Sequence, residues 1–190
     1  MARAGLTERL EVRLDGEPLV RLRGAEDDTG HGDLTLGVKY RFLDARDESR
    51  WPALGVLPFV KIPIAGGPIG SQQPDFGVIA LAGFELPWEL GLDVNAGVVA
   101  VGQSRGDDFL PQGVVTASLS RPLGERWAVF VEIFFASAAE RSGRDTVGFD
   151  AGATYFLTSR AALDAAVETS LAGPGPDWAL RAGVSVRFGR

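Results

Sequence analysis

Few residues in this chain could do covalent chemistry. There is one histidine, His31, and no cysteine. His31 stands in Gly30-His31-Gly32, near Asp27, Asp28 and Asp33, a grouping that on paper admits a catalytic dyad or a metal site. Tight zinc sites draw several imidazoles and thiolates together, and one imidazole without a thiolate is a poor set. No serine is locally positioned for a triad. No Walker, dinucleotide or EF-hand spacing occurs. The residues therefore suggest no enzyme, no cofactor and no resident metal. The acidic stretches Glu26-Asp27-Asp28 and Asp107-Asp108 could hold divalent cations; solvated loops are the simpler reading.

A second set of polar residues is far more regular. In Asp33 to Phe42, Leu34, Leu36, Val38, Tyr40 and Phe42 alternate with Asp33, Thr35, Gly37, Lys39 and Arg41. The stretch from Asp177 to Phe188 repeats this: Trp178, Leu180, Ala182, Val184, Val186 and Phe188 alternate with Asp177, Ala179, Arg181, Gly183, Ser185 and Arg187. Strand side chains alternate faces with period two, so one face is greasy and the other carries charge and glycine. If the greasy face meets lipid, the other lines a lumen. Lys39, Arg41, Lys61, Asp93, Glu132, Asp150, Glu168 and Arg181 are then the lumen-lining candidates, with Lys61, Asp93, Glu132 and Asp150 near mid-height. Arg or Lys facing lipid at the midplane costs about 2–4 kcal/mol, so these groups belong inside.

The elements that must carry them are strands. At 190 residues the chain fits one domain, 1–190. No run of apolar residues is long enough for a transmembrane helix. A barrel hides its apolar content in alternate positions, where hydropathy windows miss it. A net charge of −6 argues against nucleic acid, which wants a basic stripe. With 25 glycines and 11 prolines among short apolar runs, the chain reads as all-β with many turns.

Strands are expected at Leu6–Leu14, Asp33–Phe42, Trp51–Ile64, Asp75–Leu86, Leu90–Ala100, Gly113–Leu123, Trp127–Phe135, Val147–Leu157, Leu163–Leu171 and Asp177–Phe188. Leu19–Leu22 either continues the first strand or folds back on it. Pro58 and Pro63 are awkward inside a strand. Trp127 to Glu140 and Ala161 to Ala172 contain good helix formers, but their period is nearer two. Tight links near Pro87, Gly124 and Ser159 alternate with longer ones at 24–32, 65–74, 103–111 and 138–145, as periplasmic turns and extracellular loops do. With the short turns at the periplasm, Trp51, Trp88, Trp127, Tyr40, Phe42, Phe84, Tyr155 and Phe188 gather at that rim. Trp178, Phe76 and Phe149 lie towards the other rim, and amphipathic rings collect at membrane interfaces. The expectation is an antiparallel up-and-down transmembrane β-barrel, a meander of about ten strands.

The blocks Gly32–Phe42 (GDLTLGVKYRF), Trp51–Pro63 (WPALGVLPFVKIP) and Ala117–Leu123 (ASLSRPL), with the closing Pro176-Asp177-Trp178 and Val186-Arg187-Phe188, resemble the "MetA-pathway of phenol degradation" family. The resemblance covers nearly the whole chain and implies an outer-membrane transporter barrel of Gram-negative bacteria. Family members are longer, with a signal peptide and about two more strands upstream, so the resemblance implies an N-terminally truncated barrel of about twelve strands. Arg3 to Leu10 resembles the turn into their third strand. The N-terminus has no apolar signal-peptide core. Gly189-Arg190 after Phe188 departs from the usual terminal aromatic.

The function expected is a porin-like outer-membrane transporter for small solutes, with hydrophobic or aromatic ones favoured if Phe59, Phe130 and Phe134 share the inner face. Its partners are outer-membrane lipid, lipopolysaccharide and the solute, with no nucleic acid. The alternative is a non-conducting structural barrel plugged by its own lumenal salt bridges; narrow barrels are often filled by their side chains. A soluble lipocalin-like barrel fits less well, because a soluble exterior should be richer in Lys and Glu.

Overall fold

The structure is a computed structural model, and it describes residues 1–22, 28–45, 51–67, 69–103 and 108–188. Its strands are β1 (Ala2–Gly5), β2 (Leu10–Gly16), β3 (Val20–Leu22), β4 (Asp28–Gly30), β5 (Leu34–Leu43), β6 (Ala53–Ile62), β7 (Asp75–Leu86), β8 (Leu90–Gly102), β9 (Phe109–Leu123), β10 (Trp127–Ala136), β11 (Thr146–Thr158), β12 (Ala161–Ala172) and β13 (Ala179–Val186). Among the described residues there is no helix. Eleven strands form one antiparallel meander in the order β1-β2-β5-β6-β7-β8-β9-β10-β11-β12-β13, with β1 and β13 at its margins.

The strand expectations are met with local corrections. Leu6–Leu14 does not form one strand: Leu6 to Arg9 is a bend, and pairing starts at Leu10. The Leu6 and Thr7 amides both donate to the Leu10 carbonyl, at 2.8 and 3.2 Å. Ala2–Gly5 is a separate strand running into that bend, and it raises the sheet above ten. Val20–Leu22 folds back on Asp28–Gly30 as a two-stranded hairpin, so the segment expected as loop at 24–32 is partly strand. Residues 24–27 of that loop, with Glu26 and Asp27 of the first acidic stretch, lie outside the described residues, as do 46–50, 104–107 with Asp107 of the second, and 189–190. β9 starts at Phe109 rather than Gly113, because Phe109 to Gln112 pair with Val99 to Gly102. Trp127–Ala136 and Ala161–Ala172 are strands, as their period of two requires.

The prolines sit where no ladder donor is missed. Between β5 and β6 the pairing passes from Gly37↔Phe59 to Tyr40↔Val56, and Pro58 falls in that gap. Pro111 precedes the first β9–β10 pair, Val114↔Ala136, so a neighbour lies on one side only. Pro63 lies just past the end of β6. Such edge and gap positions are where a strand tolerates proline.

The register sorts side chains into two faces. The apolar set pairs with itself: Leu36↔Val60↔Phe76↔Ala100 on one line, and Leu119↔Val131↔Ala151↔Val167↔Leu180 on another. This greasy face is the exposed one. Along β10, Val131, Ile133 and Phe135 are 44%, 49% and 38% exposed, while Glu132 and Phe134 between them are half-buried. Among the described residues only Ala65, Val99 and Ala162 are buried apolar side chains. Such a chain has no dry core in water; its apolar surface faces outward, as in a wall set in hydrocarbon.

The opposite face packs differently. The rings of Phe59 and Phe134 lie against Gly77 and Gly148, where any Cβ would overlap them. The Phe130 ring lies over Gly152, where a Cβ would come within 2.6 Å of it. Each is a cross-strand pair in register. Large rings laid on glycine neighbours let a curved wall stay thin on its inside.

Aromatic residues mark the two rims. Trp88 and Trp127 stand at short turns, 79% and 48% exposed, and Trp127 meets Tyr155 at 4.7 Å between ring centroids. At the long-loop rim Phe76 meets Phe109 edge to face at 5.8 Å. The β7–β8 turn is tight enough to force positive φ at Trp88 (65°) and Glu89 (60°).

Val131→Arg, at the middle of the exposed face of β10, is expected to destabilise the folded protein in bilayers by about 2–4 kcal/mol. Reversible folding into lipid vesicles, read by heat-modifiable gel migration, measures it; an unchanged midpoint would show that this face does not meet lipid. Gly148→Val is expected to cost about 1–3 kcal/mol by displacing the Phe134 ring. The double variant Gly148→Val/Phe134→Ala should recover part of that loss in the same titration.

Candidate functional site

The charged residues expected on the inner face share one side of the sheet, and the register decides who stands beside whom. Asp93 in β8 pairs with Ser118 in β9, which pairs with Glu132 in β10. Glu132 pairs with Asp150 in β11, and Asp150 with Glu168 in β12. Four carboxylates therefore fall on one line across five strands. In a barrel the strands tilt, so such a line climbs the wall rather than circling at one height. Among the described residues only Glu168 on this line has an ion-pair partner, Arg181 Nη2 at 2.5 Å. Asp150 Oδ1 is buried and has no hydrogen-bond partner among the described residues.

The basic residues gather on the other arm of the sheet. Arg3 pairs with Arg13 across β1 and β2, and Glu11 with Lys39 across β2 and β5. Arg13 Nε is 2.6 Å from Glu11 Oε1. Arg41 Nε is 2.8 Å from Asp44 Oδ1, and its Nη2 donates to the Glu8 carbonyl at 3.0 Å. Lys39 has no ion-pair partner among the described residues.

The two arms bound a common cavity of about 390 Å³. Arg13, Lys39 and Arg41 line one side, and Asp93 and Glu132 the other. Asn95 and Ser118 also line it, with Leu81 and Gly83 between. Asn95 Nδ2 donates to Thr116 Oγ1 at 3.0 Å, which fixes that amide against the wall.

Of the residues singled out from sequence, Lys39, Arg41, Asp93 and Glu132 meet at this cavity. Asp150, Glu168 and Arg181 continue the inner face beyond it. Lys61 is elsewhere. It is the penultimate residue of β6, opposite Asp75, the first residue of β7, so it stands at the long-loop rim and not at mid-height. There Nζ is 2.6 Å from Asp75 Oδ2, 3.7 Å from Asp33 Oδ2 and 2.6 Å from Ser71 Oγ. Asp33 also accepts the Ala65 amide at 3.1 Å and Asp75 the Gly102 amide at 3.0 Å. Lys61 thus ties the loop ends of β6, β7 and β8 to the entry of β5. His31 is exposed, with Nδ1 3.2 Å from the Gly32 carbonyl oxygen.

Arg13 was not singled out from sequence, although the alternation of β2 already puts it on the charged phase. Its importance comes from pairing with Gly37 and from the curl that carries β2 towards β8.

The family model described as "Putative MetA-pathway of phenol degradation" matches residues 1–188. The chain belongs to this family. No functionally curated protein is significantly similar. The fold is similar to the crystal structure of an outer-membrane channel from Pseudomonas putida F1, with a TM-score of 0.72 at 17% identity, over 97% of this chain and 80% of that one. An all-β antiparallel meander with its apolar face outward is therefore the fold of an outer-membrane channel barrel.

Lys61→Met leaves Asp33 and Asp75 side by side without a cation. Their side chains are 12% and 13% exposed, between surface and buried limits, so a loss of about 1–3 kcal/mol is expected. The unfolding midpoint in detergent, read by heat-modifiable migration, measures it. An unchanged midpoint would mean that the rim does not depend on this ion pair.

Proposed function

We propose that this protein is a channel in the outer membrane of Gram-negative bacteria, passing small solutes without covalent chemistry. One observation carries the reading: a wall greasy on its exposed face bears, on the other, a charged cavity of about 390 Å³. Asp93 and Glu132 line that cavity without ion-pair partners among the described residues, which suits carboxylates that are hydrated or face a solute. The similarity to an outer-membrane channel and the family membership support the same reading. The family description names phenol degradation, and small aromatic solutes are cargo consistent with it. The rings of Phe59, Phe130 and Phe134 are occupied with glycine neighbours and lend that cargo little support. Outer-membrane lipid and lipopolysaccharide are the surroundings this reading implies.

A second reading is a structural barrel plugged by its own salt bridges. Lys61 with Asp33 and Asp75, and Arg181 with Glu168, favour it locally. Planar-bilayer recording separates the two. The channel reading expects stable conductance steps whose reversal potential under a salt gradient shifts towards anion preference in Glu132→Gln. Silent bilayers, with the protein shown to be inserted, would leave the plugged barrel.

A further inference from the structure

We propose that the cavity is a site for small dipolar solutes, one end cationic and the other anionic, held across the lumen between two oppositely charged walls. The inference rests on the channel reading for its biological use, but not for the binding itself.

The argument starts from how charge is distributed. The inner face could have interleaved its signs, as a plug of salt bridges would. Glu11 stands in register with Lys39 and bonds Arg13 on the β2 arm, but around the cavity the signs are separated: the lining cations Arg13, Lys39 and Arg41 lie on β2 and β5, and the lining carboxylates Asp93 and Glu132 on β8 and β10. Between them β6 and β7 present Ala53, Gly55, Leu81 and Gly83 to the cavity, a neutral spacer that keeps the two sets apart. Cross-wall neutralisation is incomplete on both sides. Arg13 and Arg41 are matched by Glu11 and Asp44 on their own arm, which leaves Lys39 as the cavity-lining cation without an ion-pair partner among the described residues. On the other wall Asp93 and Glu132 have no ion-pair partner among the described residues.

Opposed charges across a low-dielectric gap make a transverse field, and walls of one sign focus it on whatever enters. A singly charged solute gains at one wall and is repelled by the other. A neutral solute gains little from either. A solute with an ammonium and a carboxylate a few bonds apart satisfies Asp93 and Glu132 with one end and Lys39 with the other. The cavity volume is in the range of small-molecule sites, so such a solute fits without moving the wall.

The test compares four solutes on one four-carbon frame: 4-aminobutyrate, butylammonium, butyrate and 1,4-butanediol. Dissociation constants are measured by saturation-transfer NMR on the folded full chain in detergent, which needs no conduction. 4-Aminobutyrate is expected to bind on the order of tenfold tighter than either singly charged analogue, the worth of one charge-assisted hydrogen bond. Lys39→Met should erase its advantage over butylammonium, and Asp93→Asn/Glu132→Gln its advantage over butyrate. 1,4-Butanediol should be indifferent to all three substitutions. The inference is overturned if 4-aminobutyrate binds no tighter than its analogues, or if its advantage survives both sets of variants. Silent bilayers with this binding pattern intact would overturn the channel reading alone. Conductance without the pattern would overturn this inference alone.

Discussion

In hydrocarbon a backbone amide has only another backbone amide to pair with. That constraint explains most of what is seen here. It demands long ladders in unbroken series, and β5 to β13 supply them, each strand paired to the next in sequence. It restricts proline to the gap beside Tyr40 and to stretches with one neighbour. It also releases the side chains from forming a core, so most large apolar residues can point outward, while Phe59, Phe130 and Phe134 lie on the inner face against glycines. The consequence is a molecule with almost no buried apolar side chain among its described residues and yet a continuous greasy wall.

The inner face must then solve a different problem, because charge cannot leave it. Three solutions coexist. At the long-loop rim Lys61 is gripped by two carboxylates and a hydroxyl, and the strand ends are locked. Towards β13, Arg181 covers Glu168. In the middle the charges are left facing a cavity, sorted by sign onto separate arms. The fixed ion pairs thus lie at the rim and towards β13, and the charges without ion-pair partners around the cavity.

The strands and their faces were legible in residue order because the pattern has a period of two and needs no long-range information. Trp127–Ala136 is strand despite its helix formers, since Val131, Ile133 and Phe135 keep that period. Boundaries were less legible. Leu6 to Arg9 alternates like a strand but bends, held by amides turning back to Leu10. Phe109 to Gln112 contains proline and polar residues like a loop, yet β8 is long enough to pair with it.

The sequence by itself determined which side chains share a face, because a pleated strand sends neighbours to opposite sides whatever lies next to it. It thereby put Lys39, Asp93, Glu132 and Asp150 together on the charged side. It could not determine their height or their neighbours, because those depend on register between strands, and register is set by turns and ladders that span the whole sheet. Only the tertiary structure moved Lys61 to the rim, brought Arg13 to the cavity, and lined up Asp93, Glu132, Asp150 and Glu168 across five strands.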